Sequence, residues 1–201
     1  MTILSVNKTR GFRWAVYAHF LFSGAMRSFG CREKEGDPMN RRIKNLTHSA
    51  VLAAIYVTAT HLQNLLFPNS ASMAVQFRLS EALCVMAFLT PAAIPGLSLG
   101  CLLFNLTSGA ALPLDFLIGT AATALSTGSM WLMRRLTIKG YPLPGLLMPA
   151  LFNGLLVGWE LSIYIGGGFS VNALLVAFGE AAVLLLPGSA LYFTVRKRRL
   201  L

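Results

Sequence analysis

From Met39 onward the chain carries four acidic residues, Glu81, Asp115, Glu160 and Glu180, and each lies inside or at the rim of an apolar run. A carboxylate within a membrane-spanning segment is expensive, so such a segment is tolerated when the acid faces other helices or a polar hollow. This narrows the fold to an all-α bundle of membrane helices with a polar interior. Composition agrees: 55% of residues are hydrophobic and 12% charged, which lies outside the soluble class and inside the polytopic membrane class. One membrane domain suffices for the length.

The formal charge of +10 does not indicate nucleic acid. The basic residues form short clusters beside apolar runs: Arg41-Arg42-Ile43-Lys44, Arg134-Arg135 with Lys139, and Arg196-Lys197-Arg198-Arg199. That is the positive-inside pattern, not a phosphate-binding stripe. Cys31, Cys84 and Cys101 are scattered, without ligand or disulfide spacing, and Cys84 and Cys101 read as small apolar packing residues. No nucleotide loop, metal-protease pattern or serine elbow is present, so no catalytic residue, cofactor or metal is expected. Energy from ATP must come from another chain.

Residues 1–38 read differently from the rest. The run from Trp14 to Met26 is interrupted by His19 and is too short to span a bilayer. Codons for Lys34-Glu35-Gly36 can spell a bacterial ribosome-binding sequence, and Met39-Asn40-Arg41-Arg42 resembles the basic start of an inside-facing membrane protein. Residues 1–38 are therefore expected to be a translated leader, or else a disordered tail, with 39–201 forming the membrane domain. Intact-mass measurement of natively expressed protein separates the two.

Six spans are expected. The first runs from about Ile43 to Leu66. The second starts near Val75 or Arg78 and ends before Pro91. Pro95 suits the first turn of the third, which ends near Ser108. The fourth runs from Pro113 to Arg134-Arg135, the fifth from Gly145 to Ile165, and the sixth from Ser170 to Val195 with a kink at Pro187-Gly188. Spans two and three are short for a crossing. An even number of spans puts both basic ends and the basic loop after span four on the cytoplasmic side of a bacterial cell membrane.

That orientation places all four acids in the outer half. Asn105, His61, Gln63 and Asn64 share their level, and Asn153 lies deeper. The pattern predicts an outward-opening polar hollow for a small polar ligand, with Phe77, Phe104, Trp159 and Tyr164 available to stack on a ring. Arg78, Glu81, Asn105, Asp115, Trp159, Glu160 and Glu180 are the candidate substrate contacts. Structural alternatives stand beside them. Asp115 is also placed to cap its helix, Arg78 and Glu81 to neutralise each other, Trp159 and Tyr164 to form an interfacial belt, and Asn153 to bond between helices. Glu160 and Glu180 have no basic neighbour in sequence and rank first as ligand contacts.

Small residues recur four apart at Ala50/Ala54, Gly96/Gly100 and Gly154/Gly158. These spacings let helices approach closely, and Ala50/Ala54 is either an internal seam or a docking face.

The stretch Val75-Gln76-Phe77-Arg78-Leu79-Ser80-Glu81-Ala82-Leu83, then Pro91-Ala92-Ala93-Ile94-Pro95-Gly96-Leu97 and Asn105-Leu106, resembles the QueT family of queuosine-precursor transporters. Leu151-Phe152-Asn153-Gly154-Leu155-Leu156-Val157-Gly158 and Phe178-Gly179-Glu180-Ala181 resemble its later segments. The resemblance spans about residues 41–196 and implies a six-helix substrate-binding S component of an energy-coupling factor transporter. It implies a transmembrane coupling subunit and two cytoplasmic ATPases as partners, with Ala50 and Ala54 matching the superfamily's coupling patch. The implied ligand is a 7-deazaguanine base in its aminomethyl form. Closure of an outer loop around Pro68–Gln76 is part of the same implication. An S component for another vitamin-like ligand, a membrane enzyme and a structural assembly subunit are the rival readings.

Overall fold

The computed structural model describes residues 38–67, 77–109 and 111–198. The expected leader or tail up to residue 37 and the expected outer loop around residues 68–76 lie outside the described residues.

Within them the chain is all-α. Helix α1 spans Pro38–Leu66. A 3₁₀ helix follows at Leu79–Phe88, then α2 at Ala93–Thr107 and α3 at Asp115–Leu132. A single turn, α4, covers Leu143–Leu146 and leads into α5 at Met148–Tyr164. Helix α6 spans Phe169–Val183, passes through a π turn at Leu184–Gly188, and continues as α7 at Ser189–Arg198. Three stretches are long and apolar enough to cross a membrane: Asn40–Leu66, Leu143–Tyr164 and Phe169–Lys197.

Span two differs from the expected α-helix. It is 3₁₀ over ten residues, and nine of them, Ser80 to Phe88, are buried. At about 2.0 Å per residue it covers about 20 Å, short of a hydrocarbon core of about 30 Å. It forms the axis of the bundle, touching α1, α2, α3, α6, the π turn and α7. The surrounding helices pack in the order α1, α2, α3, α5, α6. Burial on every side explains the uniformly apolar run Ala82–Phe88.

The fifth span is broken at Leu147, because Pro149 near the start of α5 has no N–H to extend the preceding turn. Pro187 acts similarly in the sixth. The backbone widens into the π turn, and Gly188 there lies against Ala82 and Val85 of the 3₁₀ helix.

The glycine pairs are seams. A Cβ on Gly96 would lie 2.7 Å from the Ser49 carbonyl oxygen, and one on Gly100 2.8 Å from Tyr56 Cβ, so α2 rides directly on α1. On Gly158 it would lie 2.6 Å from Ala173 Cα, and on Gly154 3.0 Å from Ala177 Cβ, which brings α5 equally close to α6. Helix α1 thus turns Ser49 and Ala53 inward while Ala50 and Ala54 face outward.

The distribution of polarity is inverted relative to a soluble protein. Leu99, Leu103, Leu117, Leu155, Leu174 and Phe178 are exposed, while Arg78 and all four acids are buried. This is the arrangement of a membrane protein.

One end of the bundle gathers the basic clusters. Lys139 and Gly140, both at positive φ, make a tight turn that pairs Ile138 with Tyr141. Tyr141 then stacks on Phe193 and hydrogen-bonds Ser189 of α7. Phe88, at the end of the 3₁₀ helix, meets Tyr192 edge-on. Ser49 donates to the Ala92 carbonyl at 2.8 Å, which brings in the N-terminal part of α1. Arg41–Lys44, Arg134–Lys139 and Arg196–Lys197 are thereby brought to the same end.

Candidate functional site

The polar centre begins at the start of the 3₁₀ helix. Gln63, late in α1, accepts the Leu79 N–H at 2.7 Å and donates to the Phe77 carbonyl. This side chain closes both sides of the turn that carries Arg78. Thr60 donates to Ser80 Oγ at 2.7 Å one turn below. In a 3₁₀ helix, residues three apart eclipse, so Glu81 and Cys84 share one ridge, with Arg78 at the extended N-cap just before it.

Glu81 is fully buried and held from two sides. Tyr56 Oη donates to Oε1 at 2.5 Å and Cys84 Sγ to Oε2 at 3.0 Å. Both carboxylate oxygens therefore have protein donors, and Glu81 is a well-satisfied buried acid.

Arg78 is buried and lies within electrostatic reach of Tyr56, Asp115 and Glu81. Its guanidinium also borders Gly119: a Cβ there would lie 2.9 Å from Asn105 Nδ2 and 3.9 Å from Arg78 Nη1. A bare glycine on α3 thus makes room for the Arg78–Asn105 junction.

Two further groups of acceptors surround this cation. The first is formed by α2, α3 and α5. Asn105 Nδ2 donates to the Asp115 carbonyl at 2.7 Å. Asp115 Oδ2 accepts the Leu112 N–H at 2.8 Å, which fixes the turn through Pro113. Asp115 is the first residue of α3 and not its cap, and no side-chain cap bond forms there; its Oδ2 instead holds the preceding turn, while the residue itself is buried. Glu160 of α5 is the electrostatic neighbour of Asp115 and of Arg78. The second group is Glu180 of α6, whose neighbours are Glu81, Arg78 and Asn153.

These acceptors lack donors. Asn105 Oδ1, Asp115 Oδ1, both oxygens of Glu160 and both of Glu180 are buried without a hydrogen-bond partner. Each buried orphan of this kind costs about 1–3 kcal/mol, more when charged. One guanidinium stands among four carboxyl groups. Among the described residues no three His, Cys, Asp or Glu side chains converge as a metal site.

Six of the seven sequence candidates, Arg78, Glu81, Asn105, Asp115, Glu160 and Glu180, come together. Trp159 does not join them. It is 50% exposed, because neighbouring residues on an α-helix point about 100° apart and Glu160 takes the inward direction. Phe77 and Tyr164 are exposed as well. Of the four candidate stacking aromatics, Phe104 alone is interior, packed edge-on to His61. Sequence reasoning passed over Tyr56 and Thr60. The signal was present, since Tyr56, Thr60 and Gln63 lie at helical spacing on one face of α1.

The family model described as QueT transporter matches residues 46–197. No curated protein and no solved structure matches the chain.

Proposed function

The chain belongs to the QueT transporter family, and from that membership we propose that it is the substrate-binding subunit of an ATP-driven importer of the energy-coupling factor type. Its cargo in this reading is a queuosine precursor, a 7-deazaguanine base carrying an aminomethyl group. The observation that carries the reading is the set of unpartnered acceptor oxygens on Asn105, Asp115, Glu160 and Glu180 around Arg78. Such a base supplies what they lack. Its amidine-like edge offers adjacent N–H donors to a carboxylate, its ammonium offers three more, and its ring carbonyl accepts from Arg78.

The subunit performs no covalent chemistry in this account. Residues 39–201 act as one six-helix binding domain in the bacterial cytoplasmic membrane, with the basic end of the bundle facing the cytoplasm. Ligand arrives from the opposite side. The outward-facing pair Ala50/Ala54 on α1 docks a transmembrane coupling subunit, where small side chains permit close approach, and two cytoplasmic ATPases drive reorientation and release.

Mass spectrometry of small molecules co-purifying with the protein tests the reading. A deazaguanine base is the expected passenger. Riboflavin, thiamine or another vitamin-like compound in its place would overturn the ligand, and metal-dependent turnover by the purified chain would overturn the transport role.

A further inference from the structure

The two acceptor groups differ in shape, and the difference orients the ligand. The inference rests on the transport reading above.

The first group draws its oxygens from three helices. Asn105 Oδ1 comes from α2, Asp115 Oδ1 from α3 and the Glu160 carboxylate from α5. The Nδ2 bond from Asn105 to the Asp115 carbonyl keeps two of these members together, and Glu160 lies beside Asp115. Acceptors drawn from three packed helices match an ammonium, whose three N–H bonds diverge. Two neighbouring carboxyl groups repel when both are ionised, and an ammonium beside them relieves that repulsion.

The second group is a single carboxylate, Glu180, with both oxygens unpartnered and Asn153 beside it. One flat carboxylate with parallel free oxygens matches a planar edge with two parallel N–H donors. Glu81 does not compete for either end, since Tyr56 and Cys84 occupy both of its oxygens.

We infer that Asp115, Glu160 and Asn105 form the receptor for the substrate's ammonium group, and that Glu180, with Asn153, reads the planar amidine edge of the base. Arg78 stands within reach of both groups and meets the acceptor side of the ring. Asp115 and Glu160 thereby set selectivity for the aminomethyl base over its unsubstituted counterpart, and Glu180 sets affinity for both.

Equilibrium binding to purified full-length chain in detergent tests the division, using 7-aminomethyl-7-deazaguanine and unsubstituted 7-deazaguanine as probes. Wild type should prefer the aminomethyl base by about tenfold to a hundredfold, the range of charge-assisted hydrogen bonds. Glu160→Gln and Asp115→Asn should each weaken the aminomethyl base by at least about tenfold more than they weaken the unsubstituted base. Glu180→Gln should weaken both bases by a similar factor and keep the preference. A Glu180→Gln variant that loses the preference, or Glu160→Gln and Asp115→Asn variants that weaken both bases equally, would overturn the assignment. A probe with a dimethylated amine, which keeps the charge and removes two N–H donors, needs no variant. It should bind wild type at least tenfold more weakly than the primary amine, and equal binding would overturn the three-acceptor receptor. If wild type binds both bases without preference, the orientation fails and the transport reading stands. If it binds neither, the transport reading itself fails.

Discussion

Removing the Tyr56 hydroxyl should cost stability out of proportion to its size. Tyr56 and Glu81 are both fully buried and joined at 2.5 Å, so no water replaces the donor when it is deleted. Tyr56→Phe preserves the ring packing and leaves Glu81 Oε1 without a donor. A hydrogen bond to a charged partner contributes about 1.5–3 kcal/mol net, and an orphaned buried acceptor costs a similar amount. The expected loss is therefore about 1.5–3 kcal/mol, or about tenfold to a hundredfold in the folding equilibrium. A double-mutant cycle with Glu81→Gln isolates the contact. Denaturant-induced unfolding in detergent, followed by tryptophan fluorescence, measures each corner. The double variant should lose less than the sum of the singles by at least about 1 kcal/mol. Additive losses, or a Tyr56→Phe effect within about 0.5 kcal/mol of zero, would refute the view that this bond anchors the axis of the bundle.

Three further outcomes follow from the packing. Gly158→Leu forces a side chain onto the Ala173 backbone and should destabilise the fold by about 1–3 kcal/mol or more, whereas Gly128→Ala, which meets open space, should be close to neutral in the same unfolding assay. Gln63→Met removes both bonds at the start of the 3₁₀ helix and should weaken ligand binding by about tenfold through displacement of Arg78, measured by calorimetry, with Gln63→Glu restoring the acceptor side alone. Ala54→Leu on the outward face of α1 should leave ligand affinity unchanged and abolish co-purification with a coupling subunit, and retained co-purification would remove that face from the interface.

The inward placing of the acids and the approximate limits of the helices were legible because apolar runs punctuated by Pro, Gly and basic residues leave few ways to fold in lipid. The 3₁₀ geometry of Leu79–Phe88 was not. A segment buried on every side carries no polar face, so its sequence cannot distinguish a period of 3.0 from 3.6. Trp159 illustrates the second limit. Its neighbour Glu160 was identified correctly as buried, yet an adjacent position on a helix faces elsewhere, and the aromatic ended on the outside. Gln63 was read as a polar residue at the right level, but its role in holding the turn before Leu79 depends on a contact sixteen residues away in sequence. Such pairings are set by the order in which helices pack, which periodicity does not encode.

The binding site is created by unsatisfied carboxylates only if their removal abolishes ligand binding. Titration calorimetry of the aminomethyl deazaguanine base into wild type and into the Glu160→Gln/Glu180→Gln double variant measures this. Saturable binding by wild type and its loss in a double variant that still unfolds cooperatively is the predicted result. Equal affinity in the two proteins would contradict it and place the ligand elsewhere.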